Sequence, residues 1–180
     1  NAIREFKSIS YNGVKNNKIS LGNNKGQPIS RFLFPNMMTA EPKGRGSNSL
    51  KDRFYDDRKL KRAIRLCYEM REGHKLVYPT AIRRALELVT GENIQNFKPQ
   101  NARALAEHLC PVLWGNIYDY SAGFGGRLLG ISSSNMSYNY IGIDPNSETI
   151  KYLKYFNEVL EEAVGTKGKI IKNVSEDFQP

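Results

Sequence analysis

Apolar residues recur at helical spacing in four stretches of this chain and cluster as strands in three others. Leu60, Ala63, Ile64, Cys67 and Tyr68 mark the buried stripe of a first helix, opened by Ser49 with Asp52 in a capping-box position and ended by Gly73. Its other faces carry Arg53, Arg58, Lys59, Lys61, Arg62, Arg65 and Arg71. Ile82, Ala85, Leu86 and Val89 mark a second helix between Pro79 and Gly91, and Ala102, Leu105, Ala106 and Leu109 a third that starts at Pro99. Leu153, Phe156, Leu160 and Val164 line a fourth, capped by Asn146 or Ser147 and stopped by Gly165. Residues 117–120, 138–143 and 169–174 read as strands. A glycine turn over 121–126 and the helix opening Arg127-Leu128-Leu129 separate the first two.

Ahead of these elements the pattern is weak. Residues 1–30 read as loop with a short hairpin near Asn12-Gly13 or Gly22-Asn23. Residues 31–38 form an apolar cluster that Pro35 keeps from being a long strand, and it is expected to pack on the helices that follow. A basic glycine-rich loop, 41–48, comes next.

Strand, helix, strand, helix, strand at this spacing is the first half of a doubly wound parallel sheet. The expected fold is α/β, an N-terminal helical region followed by half of a Rossmann-like sheet. The division is an irregular, loop-rich segment 1–48, a basic helical region 49–95 and a partial Rossmann-like domain 96–180. A three-stranded sheet leaves an edge where a fourth strand belongs. The chain also lacks an initiator methionine and runs out just after its third strand, so it is expected to be a piece of a longer protein.

Charge sharpens that division. The net charge of the 180 residues is +9. Residues 1–100 hold 20 Lys+Arg and 9 Asp+Glu, or +11; residues 101–180 hold 7 and 9, or −2. A basic half suited to a polyanion is joined to a near-neutral one. The cations singled out for nucleic acid are Lys43 and Arg45 in the glycine-rich loop, and Arg58, Lys61, Arg62 and Arg65 on the first helix. Two cysteines make no disulfide framework, and no apolar run suits a transmembrane helix or a signal peptide, so a reducing cytoplasm is expected. His74 and His108 have no partners at metal-ligand spacing, and no metal is expected.

The chemistry-bearing residues gather at strand ends. Gly123, Gly125 and Gly126 lie between a strand and a helix, where the backbone can bend tightly and meet a ligand. Asp119 ends the first strand, and Asp144 closes the second, where a carboxylate accepts ribose hydroxyls. Ser175, Glu176 and Asp177 close the third. In an open parallel sheet these ends face one crevice, suited to a nucleoside-like ligand. The nicotinamide fingerprint fails, because Leu128 stands where its third glycine is required.

Asp119-Tyr120-Ser121-Ala122-Gly123-Phe124-Gly125-Gly126, followed by Ile143-Asp144-Pro145-Asn146, resembles the first two motifs of S-adenosylmethionine-dependent methyltransferases. The turn is most similar to that of bacterial and phage DNA amino-methyltransferases. Phe97-Lys98-Pro99 and its helix resemble the segment that precedes the glycine motif there. The resemblance covers about residues 96–178. It implies a class I, Rossmann-like fold with S-adenosylmethionine as cofactor. Lys98, Asp119 and Ser121-Ala122-Gly123, with Gly125 and Gly126, would lie at the methionine end, Asp144 on the ribose, and Pro145, Ser175 and Glu176 at the adenine.

The chain departs from the family at three of these positions. An aromatic often stands at the place of Ser121, a threonine at Lys98, and an acid at Val174. The family's (Asp/Asn/Ser)-Pro-Pro-(Tyr/Phe) motif, which binds the target amine and stacks on an extruded base, is absent, so no catalytic residue is assigned. The resemblance implies methyl transfer to an exocyclic amino group of adenine or cytosine in double-stranded DNA, with a restriction-modification partner possible. Two alternatives stay open: a non-catalytic cofactor- or nucleic-acid-binding module that regulates a partner, and an RNA or small-molecule methyltransferase.

Overall fold

The structure is a computed structural model and describes residues 2–10, 14–15, 18–19, 24–42, 48–70, 78–91, 93–110 and 112–178. The amino-terminal elements are α1 (Ala2–Lys7), β1 (Val14–Lys15), β2 (Lys18–Ile19) and α2 (Gln27–Leu33), followed by a 3-10 turn, Pro35–Met38. Then come α3 (Leu50–Tyr55), α4 (Asp57–Glu69), α5 (Pro79–Thr90) and α6 (Pro99–Leu109). The rest is β3 (Trp114–Asp119), α7 (Gly126–Ser132), β4 (Ser137–Asp144), α8 (Ser147–Val164), β5 (Gly168–Lys172) and a 3-10 turn, Ser175–Asp177. The chain divides into two compact units, Asn1–Phe34 with Asn96–Pro180, and Pro35–Gln95.

In the unit of residues 35–95, Ser49 and Asp52 cap α3 reciprocally. The Asp52 amide donates to Ser49 Oγ at 3.2 Å and the Ser49 amide to Asp52 Oδ2 at 3.1 Å. The single helix expected from Ser49 onward breaks at Asp56. That residue is extended (φ −86°, ψ 104°) and turns its carboxylate to the Lys59 amide at 3.0 Å, starting α4 as a new helix. Leu50, Ala63, Cys67, Ala85 and Leu86 form the core, flanked by Leu66, Ala81, Ile82 and Val89. Tyr68, assigned to the buried stripe from its spacing, is exposed instead. Arg53, assigned to the basic face, is buried, with Nε donating to the Asn48 carbonyl at 2.8 Å and an amino group to Thr90 Oγ1 at 3.0 Å.

The other unit is built on a parallel sheet in the order β3-β4-β5. Helices α7 and α8 pack against β4 and β5 and against each other, so they share one face of the sheet. Tyr138, Tyr140 and Gly142 of β4 are buried there. Trp114, Asn116, Tyr118, Ser137, Asn139 and Lys169 on the other face are exposed. Asn146 caps α8 by accepting the Glu148 and Thr149 amides, and Leu153, Phe156 and Leu160 anchor the helix by full burial, each worth about 1.5–3 kcal/mol. Helix α6 lies on α7, with Gly130 fitted against the Pro99 carbonyl and the Ala102 side chain. The α6 stripe is corrected: Pro99, Gln100, Ala102, Ala104 and Ala106 are buried, while Leu105 and Leu109 face solvent.

Residues 1–48 are less irregular than expected. The Gly26 amide donates to Glu5 Oε1 at 2.8 Å, joining α1 to α2, and Arg103 donates to the Ile9 carbonyl at 2.7 Å. A short antiparallel pair, β1–β2, sets Val14 opposite Ile19 and Lys15 opposite Lys18; the turns expected at Asn12-Gly13 or Gly22-Asn23 lie outside the described residues. In the apolar cluster 31–38, the 3-10 turn Pro35–Met38 packs against α3, as expected, and the Phe34 ring sits among Phe124, Tyr152 and Phe156, with centroids at 6.2, 6.2 and 5.8 Å. Among the described residues no helix is long and apolar enough to cross a membrane.

Candidate functional site

Parallel strands bring Asp119 and Asp144 to the same end of the sheet, and the turn between β3 and α7 closes over them. Within residues 120–126, the Ala122 amide donates to the Ile143 carbonyl at 2.8 Å, lashing the turn to β4. The Gly123 amide then donates to Asp144 Oδ2 at 3.0 Å, and the Asn146 amide to Asp144 Oδ1 at 2.9 Å. Each oxygen of this buried carboxylate keeps a second lone pair for a hydroxyl donor.

The glycines divide by what a Cβ would meet. At Gly123 (φ +55°) the nearest atom is 3.7 Å away, so the turn is open there. At Gly125 (φ +69°) a Cβ would fall 2.9 Å from Phe156 and 3.0 Å from Phe34, and at Gly126 it would strike the Phe97 carbonyl. Gly125 and Gly126 therefore lie against the protein's own packing. The segment that Gly126 admits is tied further by Asn96, whose Nδ2 donates to the Phe124 carbonyl at 3.2 Å.

Asp119 is buried, and its two oxygens accept three donors. Its Oδ1 accepts the Ser121 amide at 3.1 Å. Its Oδ2 accepts Arg127 Nε at 2.7 Å and the Tyr140 hydroxyl at 2.5 Å. Burial, and then the Asp119 charge beside it, push the Tyr140 phenol well above its usual range, so it stays a proton donor. The Arg127 guanidinium lies over the Phe97 ring, 5.2 Å from its centroid.

The other predicted positions are less closely joined. Lys98 is half-buried at the N-cap of α6 and its carbonyl accepts the Asn101 and Ala102 amides. Pro145 and Ser121 are exposed, and Ala122 is buried. Strand β5 ends at Lys172, so Ser175 and Glu176 lie in a 3-10 turn beyond it. Ser175 Oγ donates to Glu176 Oε2 at 2.9 Å, and this bond, after the backbone amide at Glu176, lowers the Glu176 pKa. Phe178 stacks on Tyr118 of β3 at 5.5 Å, so the chain returns from β5 toward β3. Among the described residues no hydrogen bond links Ser175 or Glu176 to Asp144.

Sequence reasoning missed Arg127, Tyr140 and Phe34. Arg127 carried a signal: a cation in the first turn of a helix runs against the preference for acids there, and it stands eight residues after Asp119. Tyr140 and Phe34 carried none, since sheet neighbours and ring clusters are not local patterns.

In the helical unit Arg58, Lys61, Arg62 and Arg65 are exposed on α4 and have no ion pair among the described residues. Residues 58 to 65 span about 10 Å of helix. Lys59 is engaged with Asp56 at 3.3 Å. Lys43 and Arg45 lie outside the described residues. Comparison of the chain with protein-family models, with curated proteins and with solved structures finds no match.

Proposed function

We propose that the chain is the cofactor-binding, amino-terminal portion of a class I, Rossmann-like DNA methyltransferase that uses S-adenosylmethionine to methylate an exocyclic amino group of adenine or cytosine. The observation that carries the reading is the bond from the Gly123 amide to Asp144 Oδ2 at 3.0 Å. It unites a glycine turn and a strand-end carboxylate, 21 residues apart, in one corner. An open backbone at Gly123 beside an acceptor for hydroxyls fits a nucleoside with a chain at its 5′ end.

The residues that would hold the cofactor are the turn at Ser121-Ala122-Gly123, Asp144 on the ribose, and Pro145, Ser175 and Glu176 toward the adenine. Lys98 lies next to Phe97 on the methionine side. The cofactor supplies a methyl group on a sulfonium, and the protein's contribution is alignment with the amine. The sheet, covered by helices on one face, fits half of a doubly wound fold, since parallel sheets are normally covered on both. The exposed cations of α4 suit double-stranded DNA, and a restriction-modification partner and a cytoplasmic setting accord with that reading.

The test is to incubate the longest natural form of the protein with DNA and methyl-labelled S-adenosylmethionine and to analyse the nucleosides. N6-methyladenine or N4-methylcytosine is expected. Transfer to RNA or a small molecule, with none to DNA, would replace the substrate class, and no transfer to any acceptor would favour a non-catalytic module.

A further inference from the structure

We infer that Arg127 receives the anionic, amino-acid end of the ligand and that Asp119 is a positioning residue that acts through it. The inference rests on the cofactor reading above and changes the charge that the site presents at the glycine turn. Asp119 is buried, and its two oxygens accept three donors, the Ser121 amide, Arg127 Nε and the Tyr140 hydroxyl. Little of that carboxylate remains for a ligand ammonium.

Arg127 is placed the opposite way. A guanidinium is a planar fork of five N–H donors. One, on Nε, is held by Asp119 at 2.7 Å, and one face is held by the Phe97 ring. The four N–H donors on its terminal amino groups have no partner among the described residues, and the side chain is 29% exposed. A guanidinium fixed at its base with its fork open is pre-organised for a planar oxyanion. Arg127 also follows directly on the turn whose Gly123 is open. Of the ligand proposed for this site, only the amino-acid end carries an anion, its carboxylate, whereas the end assigned to Asp144 is uncharged. The site therefore discriminates by the carboxylate, through a residue that the glycine motif does not include.

The test is titration calorimetry of the full chain with S-adenosylhomocysteine and with its decarboxylated analogue, for the wild type, Arg127→Gln and Arg127→Lys, with thermal melts as the folding check. The wild type is expected to prefer the carboxylate-bearing ligand by about tenfold or more. Arg127→Gln should bind both ligands alike, at the wild-type affinity for the analogue, and Arg127→Lys should keep part of the preference. A preference undiminished in Arg127→Gln overturns the inference. Where Arg127→Gln does not fold, a full preference in Arg127→Lys, which loses the planar fork, does the same. A wild type that binds both ligands equally refutes the inference alone, while one that binds neither removes the cofactor reading and the inference with it.

Discussion

The Tyr140 hydroxyl donates to Oδ2 of Asp119 at 2.5 Å across the β3–β4 pair. Asp119 stands opposite Gly142 in the register, and a Cβ at Gly142 would meet the Tyr140 ring at 2.5 Å. The ring thus lies over Gly142 to reach the carboxylate. A glycine inside a strand, which ordinarily weakens it, here admits a side chain from two residues away.

Replacing that phenol has two measurable effects. Tyr140→Phe leaves Asp119 one donor short, at a cost of about 1–2 kcal/mol in urea denaturation at neutral pH. The second effect depends on pH. The folded phenol is held protonated well above its usual 10.0, so the unfolded chain releases this proton first. The stability it contributes is present below pH 10 and falls as pH rises above it. Tyr140→Phe should therefore lose less stability than wild type between about pH 9 and 11. Parallel losses in the two proteins would contradict the assignment.

The glycines of the turn should separate by phenotype. Gly125→Ala drives a Cβ toward Phe156 and Phe34 at a positive φ, and should destabilise by about 1–3 kcal/mol in denaturant melts. Gly123→Ala has open space and meets only the backbone strain, so it should cost about 1 kcal/mol while weakening ligand binding more than Gly125→Ala does. Equal binding losses would place both glycines in the same role.

The helical unit offers a simpler test. Ser49→Ala removes the cap of α3 and should cost about 0.5–2 kcal/mol. The Ser49 hydroxyl is also the main cause that lowers the Asp52 pKa below 3.8. The stabilisation from that lowered pKa is present above pH 3.8 and is lost as pH falls through the folded value, so wild type should lose more stability on acidification than Ser49→Ala. Stability measured from pH 6 down to about pH 3 checks the sign.

Nucleic-acid binding should follow the exposed cations of α4. Each of Arg58→Gln, Lys61→Gln, Arg62→Gln and Arg65→Gln that removes a phosphate contact should lower the slope of log K against log salt by about 0.9. Lys59→Gln is the control, because Lys59 already faces Asp56. Unchanged slopes in all four variants would remove α4 from the interface.

What was legible in the sequence was local. Helix α5 runs between Pro79 and Gly91, and α8 between Asn146 and Gly165, because their start and stop chemistry lies in adjacent residues. The convergence of Gly123 and Asp144 was legible too, since parallel strands joined by helices bring their carboxyl ends together. The helix break at Asp56 was visible only as an Asp three residues before Lys59, because the apolar stripe from Leu60 to Tyr68 begins after it and Ser49 with Asp52 already offered a start. Helix α2 opens with Pro28 after Gly26, yet seven residues are too few to show a period. The engagement of Asp119 by Arg127 and Tyr140, and the seat of Phe34 beside the glycine turn, depend on tertiary neighbours that no local pattern records.

The central claim is that the corner formed by the Gly123 turn and Asp144 binds an adenosyl ligand. Titration calorimetry with S-adenosylhomocysteine, on wild type and on Asp144→Ala after thermal melts establish that both are folded, tests it most directly. Saturable one-to-one binding by wild type is expected, weakened about tenfold or more in Asp144→Ala. Absence of binding by folded wild type, or equal affinity in the two proteins, would contradict it.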